Sequence, residues 1–83
     1  MELVTIYSRK KCHLCEEAHR VLQEMQDELK FEIVEIFIDG EEKLEKQYDE
    51  QVPVILIDGV HHDYWRVDPN RFKSSLEKHR QHQ

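Results

Sequence analysis

Two cysteines, Cys12 and Cys15, form a Cys-x-x-Cys motif and are the only cysteines in the sequence. An apolar, strand-like run comes just before the pair, and a long helix-like run begins with it. The first turn of a helix offers unpaired N–H groups and the positive end of the helix dipole, and both stabilise a thiolate near neutral pH. The spacing therefore predicts a redox-active site.

The neighbours of the motif add charge. Arg9, Lys10 and Lys11 precede it and favour the thiolate of Cys12 further. Imidazole exchanges protons near neutral pH, so His13 could add positive charge beside Cys12 or transfer a proton. Alternatively, His13 is only a solvated spacer between the two cysteines. The first helical turn also contains two glutamates, which suit the helix dipole but oppose a nearby thiolate. The sequence does not predict whether the two glutamates together stabilise or destabilise the Cys12 thiolate.

A metal site is the main competing interpretation of the cysteine pair. Structural zinc takes four ligands, and the sequence contains no second Cys-x-x-Cys motif. His61 and His62 are adjacent on a predicted strand, so they should point to opposite faces and at most one could join the cysteines. No metal site is therefore predicted.

The elements that hold the motif follow from the spacing of apolar residues. The predicted elements are a strand over 2–7, a helix over 13–30, a strand over 31–38, a helix over 41–49, strands over 53–57 and 60–65, and a helix over 69–79. In the first helix, apolar residues from Leu14 to Leu29 recur at steps of three and four and indicate one buried face. Asp58-Gly59 is typical of a tight hairpin, and Asp68-Pro69 of a helix start. Residues 80–83 are expected to fray.

Length, charge and hydropathy restrict the possible partners. Eighty-three residues are enough for one modest core, so residues 1–83 are expected to form a single domain. A net charge of −6 argues against nucleic acid or an anionic membrane as the main partner. No apolar run is long enough to span a membrane, and the N-terminus lacks a signal-peptide pattern. We expect a cytoplasmic protein, in which a close cysteine pair is catalytic or metal-binding rather than a permanent link.

Together, a short strand, a basic loop, Cys-x-x-Cys at a helix start, and a later Val-Pro before a strand and hairpin resemble the glutaredoxins. The resemblance spans the whole chain, and Cys-His-Leu-Cys is similar to the motif of a branch of small glutaredoxin-like proteins. It implies an α/β thioredoxin-like fold of order βαβαββα, with a four-stranded mixed sheet and helices on both faces. It also implies a dithiol thiol–disulfide oxidoreductase. In that activity Cys12 attacks a substrate disulfide and Cys15 resolves the mixed disulfide.

The resemblance also suggests the substrate-binding residues. Pro53 matches the cis-proline beside the active site, and the preceding Val52 would present its backbone to an extended substrate. Arg9, Lys11 and Arg66 are further candidate binding residues. The Arg66 guanidinium could bind a carboxylate of the substrate directly. Trp65 could form one wall of the same groove, or could equally cover the edge of the hairpin. The expected substrates are protein or small-molecule disulfides, with a reductase or a low-molecular-weight thiol as electron donor and the protein acting as a monomer.

The chain departs from the glutathione-using pattern at two points. Gln51 stands where those glutaredoxins have Thr before Val-Pro. After the hairpin, bulky residues occupy the place of a Gly-Gly pair that allows close approach of a ligand. Asp68, which follows them, is expected to cap a helix rather than bind a ligand. No resident cofactor is predicted, and glutathione is expected to be a poor co-substrate.

Two further functions stay open at this point. Some glutaredoxins bridge an iron–sulfur cluster between two protomers, with one cysteine from each plus glutathione, and this would make the protein a carrier. The altered glutathione pocket argues against it. The fold could also serve as a pure interaction module, because fold does not determine function. The presence of both cysteines at the active positions argues against that alternative.

Overall fold

A computed structural model describes residues 1–48, 51–64 and 66–81. Its elements are β1 (Leu3–Ser8), α1 (His13–Leu29), β2 (Glu32–Phe37), α2 (Glu42–Tyr48), β3 (Val54–Ile57), β4 (Val60–Tyr64) and α3 (Pro69–Gln81). The predicted order βαβαββα is confirmed. The predicted ends at Asp49 and Trp65 lie outside the described residues, and the other element ends differ from the prediction by at most two residues. Among the described residues, no helix combines the length and the apolar character needed to cross a membrane.

The four strands form one mixed sheet in the order β2-β1-β3-β4. β1 pairs in parallel with β2 and antiparallel with β3, and β3 pairs antiparallel with β4. Asp58 and Gly59 form the turn between β3 and β4, and both have positive φ angles, of 48° and 82°. The Asp58 carboxylate also accepts a hydrogen bond of 2.7 Å from the Leu3 amide, which fastens the hairpin to β1. β1 therefore lies inside the sheet, and its C-terminal end leads directly to the cysteines.

Helices cover both faces of the sheet. Val4 and Ile6 of β1 are fully buried in one apolar cluster, which also contains Leu22 of α1 and Phe72 of α3. Tyr7 points to the other face, because side chains alternate along a strand, and packs against a second cluster. That second cluster receives Leu44 and Tyr48 of α2. α1 and α3 thus lie on one face and the short helix α2 on the other, which confirms the prediction that helices cover both faces.

Leu14 of α1 lies outside the buried face on which the sequence pattern placed it. Its side chain is 55% exposed, whereas Cys15, Ala18 and Leu22 are buried. Leu14 sits in the first turn, at the flank of the buried stripe, and lines a small cavity together with Arg66 and Val67. The periodicity prediction was therefore wrong for this residue, since an apolar side chain at the first turn can extend beyond the packed core.

Arg80 belongs to α3 and is anchored, so the prediction of fraying was wrong for residues 80 and 81, whereas residues 82–83 lie outside the described residues. Its guanidinium donates a hydrogen bond of 2.9 Å to the Glu2 carboxylate and others to the carbonyl oxygens of Leu29 and Lys30. The last carbonyls of a helix lack partners within the helix. Arg80 supplies hydrogen-bond donors to the C-terminal end of α1 and to Glu2, and so fastens α3 beside the N-terminal end of β1.

Candidate active site

Cys12 occupies the N-cap of α1 and has an extended backbone conformation (φ −107°, ψ 109°). The Cys15 amide donates a hydrogen bond of 3.2 Å to the Cys12 sulfur. The Cys12 carbonyl accepts the first hydrogen bond of the helix, from the Glu16 amide at 3.1 Å. An N-cap position directs free N–H groups and the positive end of the helix dipole at the side chain. This geometry favours negative charge on the Cys12 sulfur.

The two cysteines differ in accessibility. Cys12 is partly exposed, whereas Cys15 is 1% exposed and lies in the second apolar cluster with Ile38 and Val52. Their sulfurs are joined in a disulfide, and the two Cα atoms are 5.2 Å apart. An external disulfide could therefore reach Cys12 directly, while burial shields the Cys15 sulfur from attack.

Two stacked tyrosines border the cysteine pair. The rings of Tyr7 and Tyr48 lie with centroids 4.6 Å apart and planes inclined by 24°. Both pack against the same cluster as Cys12. Burial raises the pKa of Tyr48, and the neighbouring Tyr7 raises it further, so the Tyr48 hydroxyl stays neutral near neutral pH. Sequence reasoning did not assign Tyr7 to the site, although its place at the end of the strand before the motif was a usable signal.

The basic loop and Cys15 border the same groove, of about 360 Å³. Arg9, Lys10 and Lys11 line one part of it, and the lining continues with Cys15, Glu16, His19, Glu35 and Phe37. The Lys10 amide donates a hydrogen bond of 3.1 Å to Asp39, which ties the loop to the segment after β2. Lys11 has a φ of 60°, and this left-handed turn brings the chain into the N-cap. Of the predicted binding residues, Arg9 and Lys11 are thus brought together on one side of the cysteines.

The other predicted binding residues lie elsewhere around the motif. Val52 is nearly buried, Pro53 is fully buried, and the peptide bond between them is cis. Val52 shares the second apolar cluster with Cys15. Arg66 is exposed and lines a cavity of about 70 Å³ together with Leu14, on the opposite flank of α1 from the basic groove. Trp65 lies outside the described residues.

The ionisable residues in the first turns of α1 differ in their neighbours and in how directly they face the cysteines. His13 is exposed between the two cysteines. A hydrogen bond from Arg20, and then the charge of Arg20, lowers the pKa of Glu17. Arg20 also donates a hydrogen bond to Glu24, so it holds Glu17 on the side of the helix that leads away from Cys12. Glu16 lines the basic groove and is the first-turn acid that faces the site.

Asp68 caps α3, as predicted. Its carboxylate accepts hydrogen bonds from the amides of Asn70 at 3.0 Å and Arg71 at 3.2 Å. Within the described part of the chain, no group of three or more His, Cys, Asp or Glu residues is arranged to hold a metal ion.

A mixed four-stranded sheet between helices, with a cysteine pair at the start of the first helix, defines a protein of the thioredoxin fold. A family model described as a glutaredoxin-like domain (DUF836) matches residues 3–77. The chain therefore belongs to this glutaredoxin-like family, and the resemblance seen in the sequence is confirmed.

Relatives and solved structures agree with that assignment. An uncharacterized protein of Mycobacterium tuberculosis, Rv0508, is 31% identical over 78 residues, which span 88% of this chain and 80% of that protein. Protein Ne2328 from Nitrosomonas europaea is 30% identical with a TM-score of 0.78 and covers 89% of each chain. The structural-genomics target protein XcR50 from X. campestris is 29% identical with a TM-score of 0.77, over 90% of this chain and 96% of that one.

More distant similarity extends to thioredoxin itself. Fasciola hepatica thioredoxin shares 16% identity with a TM-score of 0.67, over 94% of this chain and 80% of the thioredoxin. At this identity the similarity concerns the fold alone.

Proposed function

We propose that this protein is a dithiol thiol–disulfide oxidoreductase in which Cys12 is the nucleophile and Cys15 the resolving thiol. The observation that supports the proposal best is the N-cap geometry, in which the Cys15 amide donates to the partly exposed Cys12 sulfur. The nearly complete burial of Cys15 supports its proposed role as the resolving thiol. Attack by a thiolate on a disulfide requires both ionisation and access; the N-cap position of Cys12 favours the first, and its partial exposure provides the second.

The reaction proceeds by two exchanges. The Cys12 thiolate attacks one sulfur of the substrate disulfide, forms a mixed disulfide and releases the other sulfur as a thiolate. Cys15 then loses its proton, for which Glu35 and His19 of the adjoining groove are candidate acceptors, and its thiolate attacks the Cys12 sulfur and breaks the mixed disulfide. The substrate leaves as a dithiol, reduced by two electrons, and the protein is left with the Cys12–Cys15 disulfide. A dithiol donor reverses these steps and restores the reduced protein.

Substrate binding is assigned to the surfaces that adjoin Cys12. Val52 lies just before β3, where its backbone could pair with an extended segment of a substrate. Arg9 and Lys11 provide positive charge beside the pair, in a chain whose net charge is −6. This local charge favours disulfides flanked by acidic groups. On the other flank, exposed Leu14 and Arg66 offer an apolar contact and a guanidinium, and Trp65 is the candidate for a further wall.

The electron donor is proposed to be a reductase or a thiol other than glutathione. Gln51 and the bulky residues of β4 differ from the residues that hold glutathione in glutathione-using glutaredoxins. His13 is proposed to modulate the reactivity of Cys12 through its charge, since it is exposed between the two cysteines. A disulfide that must open and close in each cycle fits a reducing compartment, so we place the protein in the cytoplasm.

Trapping experiments test the proposal. Cys12→Ser is expected to abolish reduction of a protein disulfide by the dithiol-supplied protein, because no other thiol is accessible. Cys15→Ser retains the backbone amide that points at Cys12 and is expected to accumulate mixed disulfides with substrates, visible on non-reducing gels. Ser74→Ala, at an exposed position of α3, serves as the control and should behave like the wild type. Full activity of Cys12→Ser, or mixed disulfides formed through Cys15 in that variant, would exclude the proposed roles.

A further inference from the structure

A second groove lies between β4 and α3 and has a volume of about 310 Å³. Arg71, Ser75, Lys78 and His79 of α3 line one side of it. These positions recur at steps of three and four, so they share one face of the helix. Neither cysteine nor any residue assigned to substrate binding lines this groove, which makes it separate from the candidate active site.

The groove is lined by hydrogen-bond donors and basic groups. Among the described residues that line it there is no Asp or Glu, although the sequence contains 18 acidic residues. The two carboxylates closest to its basic groups are already engaged. Asp63 lies 3.4 Å from the Arg71 guanidinium, and Asp58 lies 2.7 Å from the His79 ring nitrogen. No ion pair of Lys78 occurs with any residue in 1–48, 51–64 or 66–81.

His62 supplies a polar atom that the protein itself leaves unsatisfied. It lines the groove, and its ring lies edge-on to Phe72 with the centroids 5.7 Å apart. The Nε2 atom is buried, and no group in the described part of the chain forms a hydrogen bond with it. Burial lowers the pKa of His62, the positive groups nearby lower it further, and Asp63 opposes them. A neutral imidazole has one donor and one acceptor nitrogen, so His62 can donate to a ligand once its ring turns the buried Nε2 atom toward the groove.

An apolar surface adjoins these donors. Ile57 at the end of β3 and Val60 at the start of β4 line the same groove, and Val60 is 63% exposed. Small-molecule sites in proteins have volumes from about 300 Å³ upward and combine apolar walls with a few convergent polar groups. The groove has this size and this composition.

We propose that the groove between β4 and α3 binds a small organic oxyanion, a phosphate monoester or a carboxylate. The oxyanion lies between Arg71 and Lys78, with donors from Ser75 and His62, and the apolar body of the ligand lies on Ile57 and Val60. Arg71 suits this role because a guanidinium can bind an oxyanion with two parallel hydrogen bonds while it still neighbours Asp63. The site is independent of disulfide exchange at Cys12.

Amide chemical shifts in NMR titrations test this site. The probes are phenyl phosphate, benzoate, inorganic phosphate and phenol, which separate the contributions of the oxyanion and the apolar body and distinguish a phosphate from a carboxylate. We expect saturable shifts at the amides of His62, Ser75 and Val60 with phenyl phosphate or benzoate, weaker binding of inorganic phosphate, and none of phenol. Equal binding of phenol, or shifts that grow without saturation over the whole surface, would overturn the proposal.

Two matched variants test whether the positive charge of Lys78 contributes to binding of the anionic probe. Lys78→Gln is expected to weaken binding of the anionic probe about two- to fivefold, the size of one solvent-exposed charge pair. Lys73→Gln makes the same charge change on the same helix, but Lys73 lies outside the groove and 3.5 Å from Glu28. It should leave the affinity unchanged, and both variants should retain wild-type disulfide reduction. Equal weakening by the two variants would show that only the net charge of α3 matters and would contradict a site at this groove.

Discussion

The two glutamates at the start of α1 provide a test of the electrostatics around Cys12. The perturbation is Glu16→Gln, and its matched control is Glu17→Gln. Glu16 lies one helical turn from Cys12, since its amide donates to the Cys12 carbonyl at 3.1 Å. Side chains one turn apart have Cβ atoms about 5–6 Å apart, which places a carboxylate about 7 Å from the sulfur.

The magnitude follows from that separation. Two unit charges about 7 Å apart near the surface, in nearly bulk water, interact with about 0.5 kcal/mol, and salt reduces this value. Removing the Glu16 charge should therefore raise the thiolate fraction of Cys12 about twofold at a pH where the thiol is mostly protonated. Glu17 lies one position further along and is held toward Arg20 and away from the sulfur. Its removal should change the thiolate fraction less, because salt screens charges at that longer distance.

The assay is the ultraviolet absorbance of the thiolate as a function of pH. The measurement uses the Cys15→Ser background, so that the signal belongs to Cys12 alone and the amide at position 15 is retained. We expect the Glu16→Gln titration to shift to lower pH and the Glu17→Gln titration to stay close to that of the parent. Equal shifts for the two variants, or a shift of Glu16→Gln to higher pH, would refute the placement of these charges.

Four further perturbations have expected outcomes. Asp68→Ala should destabilise the fold by about 1 kcal/mol in urea unfolding because it removes the N-cap of α3, and Asp68→Asn should retain most of the stability. Arg80→Ala should cost about 1–3 kcal/mol in the same measurement, since it leaves carbonyls at the end of α1 and the Glu2 carboxylate without their donor; a loss below that of an ordinary surface substitution would show that the anchor is unimportant. Leu14→Ala should leave the melting temperature nearly unchanged because the side chain is 55% exposed, and should lower kcat/KM for a protein disulfide but not for a small one. A hydrogen bond from the Leu3 amide, and then one from His79, lowers the pKa of Asp58, so its contribution to stability is fully present above the ordinary carboxyl pKa of about 3.9 and is lost as the pH falls from there through the lower folded value; Asp58→Asn should remove this acid sensitivity when unfolding is compared at neutral pH and below about pH 4.

Much of the fold could be predicted from local patterns. The helix periodicity, the Asp58-Gly59 turn and the Asp68 cap each depend on residues close together in the sequence, and each is present in the structure. The order of strands could not be derived in this way. It depends on the pairing of β1 with β2 and β3 across long sequence separations, which periodicity does not encode.

The features of the site and of the fold that sequence reasoning missed also depend on contacts between residues far apart in the sequence. The stack of Tyr7 and Tyr48 joins a strand to a helix more than 40 residues further along the chain. Leu14 has the right spacing for a buried face but lies beyond the end of the packed core. Arg80 is polar and close to the C-terminus, two signals of fraying, yet it finds acceptors on Glu2 and at the end of α1. In each case the role of the residue depends on whether residues distant in the sequence pack against it.

The most direct test of the proposed chemistry is the relative reactivity of the two reduced thiols. Fully reduced protein would be treated with less than one equivalent of iodoacetamide at neutral pH, and the alkylated residue would be identified by mass spectrometry of its peptides. We predict that Cys12 carries nearly all of the label, because its sulfur is accessible and the Cys15 amide points at it, where it would stabilise the thiolate of the reduced protein. Equal labelling of Cys12 and Cys15, or faster labelling of Cys15, would contradict it.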